Sequence, residues 1–271
     1  MSSKARKGSG GYGAIFNFAA IVLAYVVSFF IWKNIMGNPV NFEGGNPEGH
    51  PLPGNYLAII YKGGMIVPFL ISCIVVLLTF SFERAITLAK AQGKGKLNVF
   101  VKNIQVAIAA DQIEESQEAC DIQKGSLANV VKAGLKRYRE LQSDQSLEND
   151  QKVVALQKEI EEATALELPM LSKNLIIIST LASISVLIGL IGTVLGMIRA
   201  FAALAQAGAP DALALATGIS EALINTAFGI TGSTVAIVAY NYFSTRIDGL
   251  TFKIDEAGFS LVQSFSASLK K

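Results

Sequence analysis

DALALATGISEALINTAFGITGSTVAIVAYNYF, residues 211–243, decides the reading of this chain. Glu221 stands near its start and the next charge is Arg246, so the carboxylate opens an uncharged run long enough to cross a bilayer. A charge near or inside hydrocarbon is expensive, so it usually faces a bundle interior and marks a functional position. The run before it, residues 174–198, has no charge and carries Gly189, Gly192 and Gly196. Two long apolar helices, one lined with small residues and one holding a lone acid, are therefore expected at the centre of the fold.

Hydrophobic residues make up 51% of the 271 and charged residues only 16%, with a mean hydropathy of +0.45. That is the composition of a polytopic membrane protein, not of a soluble domain. A net charge of +2 gives no ground for a nucleic-acid partner. Cys73 lies in an apolar run and Cys120 in a polar one. They fall in different compartments on the topology below, so no disulfide is expected. His50, the single histidine, sits in a Gly/Pro-rich loop and reads as a solvated loop residue. With one histidine and no CxxC, neither a metal site nor a cofactor is expected. No nucleophile–base pair points to catalytic residues or an enzyme.

The apolar runs predict an all-α polytopic membrane protein with four transmembrane helices and a cytoplasmic helical domain. The chain divides into a basic cytoplasmic tail (1–13, with Lys4, Arg6 and Lys7), a first transmembrane helix (14–32) and an external loop (33–60). A second crossing (61–82) leads into the helical domain (83–172). Then come a third crossing (173–201), an external turn with Pro210 (202–211), a fourth crossing (212–243) and a cytoplasmic tail (244–271). A cleaved signal peptide is the rival reading of the first run. It ends FFIWKN with no small-x-small cleavage site, so a retained helix is favoured, with Trp32 and Lys33 as interfacial anchors. The basic start and the lysines after Arg84 place both flanks inside by the positive-inside rule. The loop, with Pro39, Pro47, Pro51 and Pro53, is then outside.

In the helical domain, Val99, Val101, Ile104, Ala107 and Ile108 approximate helical spacing. Gly125 followed by Ser126 reads as one helix stopping and another being capped. Leu127, Val130, Val131, Gly134, Leu135 and Tyr138 then share a face, and Val153, Leu156, Ile160, Ala163 and Leu166 form a stripe toward the membrane. Pro169 is expected to kink or interrupt that helix.

In the third crossing Ala182, Ser185, Gly189, Gly192, Gly196, Ala200 and Ala203 recur at three- and four-residue steps, so another backbone can approach closely. Thr193 lies beside that stripe, and Arg199 ends the crossing and can snorkel outward. The stretch from Asp211 to Arg246 would span about 52 Å as a helix, against about 30 Å of hydrocarbon, so the helix must tilt or protrude. Glu221 and Asn225 share one face of it. Thr226 starts a second line with Gly229 and Ser233, about 140° away. Either one line borders a passage while the other packs on a neighbour, or protein surrounds the helix. A group that gains and loses a proton at membrane depth is what a proton path needs, and threonine hydroxyls both donate and accept. The plainer readings are a structural acid, glycines that only pack, and hydroxyls bonded back to their own helix.

Three stretches resemble the proton-channel family of ExbB, TolQ and MotA, most closely ExbB and TolQ. They are PFLISCIVVLLTFSFERAI (68–86), LIGLIGTVLGMIRAF (187–201) and GISEALINTAFGITGSTVAIVAYNYF (218–243). The resemblance implies that Thr193 of the GTV motif, Glu221 of SEAL and Thr226 of NTAFG lie near a central pore. There they would face an aspartate on the transmembrane helix of a partner. It further implies a homopentamer in the bacterial inner membrane, enclosing a dimer of a single-span protein like ExbD or TolR, with proton motive force coupled to work across the envelope. For outer-membrane import a TonB-like envelope protein would join. A TolQ-like envelope motor, a motility motor and a membrane scaffold without ion flux remain alternatives. The chain departs from ExbB and TolQ in its extra first crossing.

Overall fold

The computed structural model describes residues 9–110, 112–205 and 211–269, with side chains from residue 15 onward. Lys4, Arg6 and Lys7 of the basic tail, and Pro210 of the external turn, lie outside the described residues. The helices are α1 (Ser9–Phe30), α2 (Tyr56–Tyr61), α3 (Val67–Gln92), α4 (Leu97–Ala109), α5 (Ile113–Gln123), α6 (Gly125–Ser143), α7 (Asn149–Ser172), α8 (Leu175–Leu204) and α9 (Ala212–Ser268). No strand occurs among the described residues, only one isolated antiparallel bridge, Phe42 to Pro51. Four helical stretches are long and apolar enough to cross a membrane, and the chain is an all-α polytopic membrane protein. It forms two compact units, Met1–Ser81 with Ile177–Ala239, and Phe82–Ile176 with Tyr240–Lys271.

In the first unit, α1 continues as a π-helical turn over Ile31–Met36. The wider turn brings Trp32 and Met36 onto Val67, with Ile224 packed against the same cluster. Trp32 is buried, stacks on Tyr61 at 4.8 Å and donates from Nε1 to the Tyr61 carbonyl at 3.3 Å. At the end of its apolar run it therefore packs into the chain as well as closing the span. Tyr25 meets Phe69 with ring centroids 4.7 Å apart, fixing α1 against α3.

In the second unit, α4 to α7 and the later part of α9 share a core. Tyr138 of α6 packs on Phe265 of α9 at 4.6 Å, and both are fully buried. The predicted face of α6 is buried from Leu127 to Tyr138. Two stripes are redrawn. In α4 Phe100 takes the inward place instead of Val99, which is 53% exposed, and in α7 Leu166 points outward. Ser126 does not cap α6, whose break falls two residues earlier, at Lys124. Lys124 and Gly125 both have positive φ, and a Cβ on Gly125 would meet the Gly93 nitrogen at 2.8 Å. Pro169 does not interrupt α7 either. The helix runs on to Ser172 and the break comes at Asn174, with φ 62.

Arg84 secures that break. Almost fully buried, it donates to the carbonyl of Leu171 at 3.2 Å, one of the acceptors left open at a helix C-terminus, and pairs with Glu83 at 2.6 Å. Burial would raise the Glu83 carboxyl, but bonds from Arg84, Asn174 and Thr87 outweigh it and hold it below its ordinary value of 4.5. A lowered carboxyl stabilises the fold above its unfolded-state value, and that contribution is lost as pH falls through the folded value. Melting temperature followed by circular dichroism between pH 6 and 3 should therefore fall more steeply in the wild type than in Glu83→Gln. Parallel curves would show that the pair contributes nothing.

Candidate functional site

The centre of the first unit is the contact of α8 with α9, and glycines make it possible. A Cβ on Gly196 would lie 2.7 Å from both the Ala222 nitrogen and the Gly218 carbonyl oxygen. One on Gly189 would lie 2.9 Å from the Asn225 carbonyl oxygen, and one on Gly192 2.5 Å from the Asn225 side chain. The reciprocal positions on α9 are Gly218 against Ala200 and Gly229 against Ser185. The stripe on α8 therefore meets α9 of its own chain, small residue to small residue. Ser233 closes the lower part of the seam by donating to the Ala182 carbonyl at 2.5 Å. Since the atoms facing Gly196 are backbone, Gly196→Val cannot be absorbed by a rotamer change. It should cost about 3 kcal/mol, read as a lower midpoint of thermal unfolding in detergent; an unchanged midpoint would mean that the seam is loose.

The two polar lines on α9 part company. The Glu221–Asn225 line is buried inside the protomer, with Glu221 3% and Asn225 0% exposed. Arg199 Nη1 donates to both carboxylate oxygens of Glu221, at 2.5 and 2.6 Å. Asn225 donates from Nδ2 to the Gly63 carbonyl at 2.9 Å, and its Oδ1 is buried without a hydrogen-bond partner. Gly64, with φ +77, lets the chain ahead of α3 pass against the carboxylate; any Cβ there would collide with Glu221 Oε1.

Thr226 belongs to the other line. Its hydroxyl pairs with that of Thr193 across the α8–α9 seam, and either can donate. Each also reaches its own helix, Thr193 to the Gly189 carbonyl at 3.2 Å and Thr226 to the Ala222 carbonyl at 3.1 Å. Two protons shared among more acceptors than they can serve allow the pair to reverse its polarity. Both threonines are half-buried. The structure thus brings Thr193 and Thr226 together and sets Glu221 apart from them, beside Arg199.

Arg199 is the residue the sequence reading misplaced, for it pairs with Glu221 and does not simply snorkel outward. A signal was present. Glu221 and Arg199 are the only charges in residues 175–204 and 212–243, and an acid at membrane depth calls for a counter-ion. The Gly63–Gly64 pair that covers Asn225 and Glu221 carried no such signal.

The family model described as the MotA/TolQ/ExbB proton channel family matches residues 123–256. The chain is 32% identical over 121 residues to the Tol-Pal system protein TolQ of Pseudomonas aeruginosa, covering 45% of this chain and 52% of that protein. It is 40% identical over 84 residues to TolQ of Haemophilus influenzae, 31% of this chain and 37% of the relative. With the biopolymer transport protein ExbB of Aquifex aeolicus it shares 30% identity over 118 residues, 44% of this chain and 72% of that protein. The chain thus spans about half the length of the Pseudomonas relative and less of the Haemophilus one. The span matched by the family model takes in all of α8 and α9 as far as Glu256, so the hydroxyl pair, the ion pair and the glycine seam all lie inside it, and the chain belongs to the MotA/TolQ/ExbB proton channel family.

Proposed function

We propose that the chain is a proton-channel, stator-like subunit of an inner-membrane energy-transducing complex. Five copies surround a dimer of an ExbD/TolR-like single-span protein and couple proton motive force to work across the envelope. The observation that supports this best is the Thr193–Thr226 pair standing on an otherwise apolar face. Leu190, Leu223 and Ile230 flank it and are 50%, 66% and 54% exposed on the protomer. A transmembrane helix laid on that face would find apolar packing along its length and one polar station at Thr226, about 21 Å along the axis from Ala212. If that helix carries a carboxyl, the hydroxyls can hydrogen-bond it in either protonation state.

On this reading Thr193 and Thr226 are pore hydroxyls, and Gly189, Gly192 and Gly196 hold the seam. The Arg199 pairing favours a clamp role for Glu221, so the proton is carried by the partner's acid. Both termini and residues 83–172 lie on the cytoplasmic side, as the basic flanks favour. The process energised is outer-membrane import of the ExbB type, with a TonB-like protein beyond the channel. The identity to two TolQ proteins supports a Tol-like envelope motor as the second reading.

The test is to purify the chain with the small single-span protein that co-isolates and to reconstitute both into liposomes loaded with a pH dye. Potential-driven proton uptake is expected with the complex and not with the chain alone. Sealed complex-bearing vesicles that take up no protons would replace this reading with that of a scaffold.

A further inference from the structure

We propose that the protein binds an anionic phospholipid in a basic cavity bounded by α3, α4 and α9. The cavity measures about 730 Å³, and no carboxylate lines it. All of its walls belong to the second unit. Its cations come from separate places in the chain, Lys96 just ahead of α4 and Arg246 and Lys253 on α9. Among the described residues neither Lys96 nor Arg246 takes part in an ion pair, while Lys253 is held by Glu256 at 2.6 Å. The Arg246 guanidinium lies over the Tyr242 ring, 5.4 Å from its centroid, which orients it without neutralising it. The first turn of α4 also lines the cavity, and a helix N-terminus adds partial positive charge and free backbone N–H groups.

Position and wall chemistry select the occupant. Phe243 closes the fourth apolar run, and Leu88 follows shortly after the second run ends at Phe82. The cavity therefore sits at the ends of two crossings, on the flank rich in lysine and arginine, where anionic lipid is attracted. Leu88, Phe243 and Leu250 give it an apolar side, which a free phosphate has no use for and an acyl chain does. A phosphodiester between Lys96 and Arg246, with its chains along the apolar side, satisfies both halves of the site. This inference does not depend on which ion the complex conducts.

The full-length chain, delipidated in detergent, is offered phosphatidylglycerol, phosphatidylcholine or inorganic phosphate, and retained adducts are measured by native mass spectrometry. Wild type should hold phosphatidylglycerol in preference to phosphatidylcholine, and equimolar inorganic phosphate should not displace it. Arg246→Gln with Lys96→Gln should weaken retention about fivefold for each charge removed. Gly249→Leu is the second variant. Gly249 lines the cavity and a Cβ there meets nothing within 4 Å, so a leucine takes up part of the space, keeps every charge and leaves the backbone alone. It should lower retention as well, with the circular dichroism and elution of both variants unchanged. Equal retention of the two lipids, unchanged retention in either variant, or displacement by inorganic phosphate would overturn the assignment.

Discussion

Thr226→Ala should reduce partner-dependent proton uptake by about 100-fold, the low end of what a positioned proton-transfer group contributes. The substitution removes the hydroxyl that Thr193 pairs with and little else, because Thr226 is half-buried and alanine is the better helix former. Thr193→Val, which keeps the shape and loses the oxygen, should act alike, and Thr226→Ser should retain most of the flux. The double variant should be no worse than either single one, since two hydroxyls that serve as a pair fail together. The measurement is dye-reported uptake into vesicles holding the complex, normalised to protein inserted. Flux near wild type in both single variants would remove the pair from the pathway.

Arg199→Met should cost about 3 kcal/mol of stability, because it leaves a carboxylate that is 3% exposed without its counter-ion. Glu221→Gln should cost less. The Arg199 side chain is 56% exposed on the protomer, so it can turn outward once released. Combining Arg199→Met with Glu221→Gln should recover most of the loss, a coupling that thermal melts in detergent can read. Glu221→Ala should still cripple the complex, because it opens a hole beneath Gly64 and frees the guanidinium together. Proton uptake then separates two roles for the acid. If Glu221 is a clamp, the double variant conducts. If Glu221 itself carries protons, the double variant is as silent as Glu221→Ala.

The glycine seam was legible because close helix contact leaves a mark on both helices. Gly189, Gly192 and Gly196 on α8 find Gly218 and Gly229 on α9, and each row can be counted off its own sequence. The two polar lines on α9 were legible for the same reason, as positions about 140° apart on one helix. What each line faces was not. Periodicity assigns residues to a face but is silent on which distant segment covers it, so neither the Gly63–Gly64 cover over Asn225 and Glu221 nor the Arg199 pair was foreseen. The packing of Trp32 on Tyr61 was not legible either. The π-helical turn that brings it onto Tyr61 has no sequence signature of its own. At Ser126 local preference lost to tertiary packing, and Pro169 lies inside α7 without ending it. The α7 helix absorbs its proline, and α6 starts where the close approach of Gly93 demands a glycine.

Gly64 carries a consequence for genetics. Any side chain at that position evicts the carboxylate from its berth, so a saturation library should leave residue 64 as blank as a residue that touches protons. Intolerance there reports steric exclusion and nothing about conduction. A map of sensitive positions would overdraw the channel unless alleles that fail to seat Glu221 were scored apart from those that seat it and stay closed.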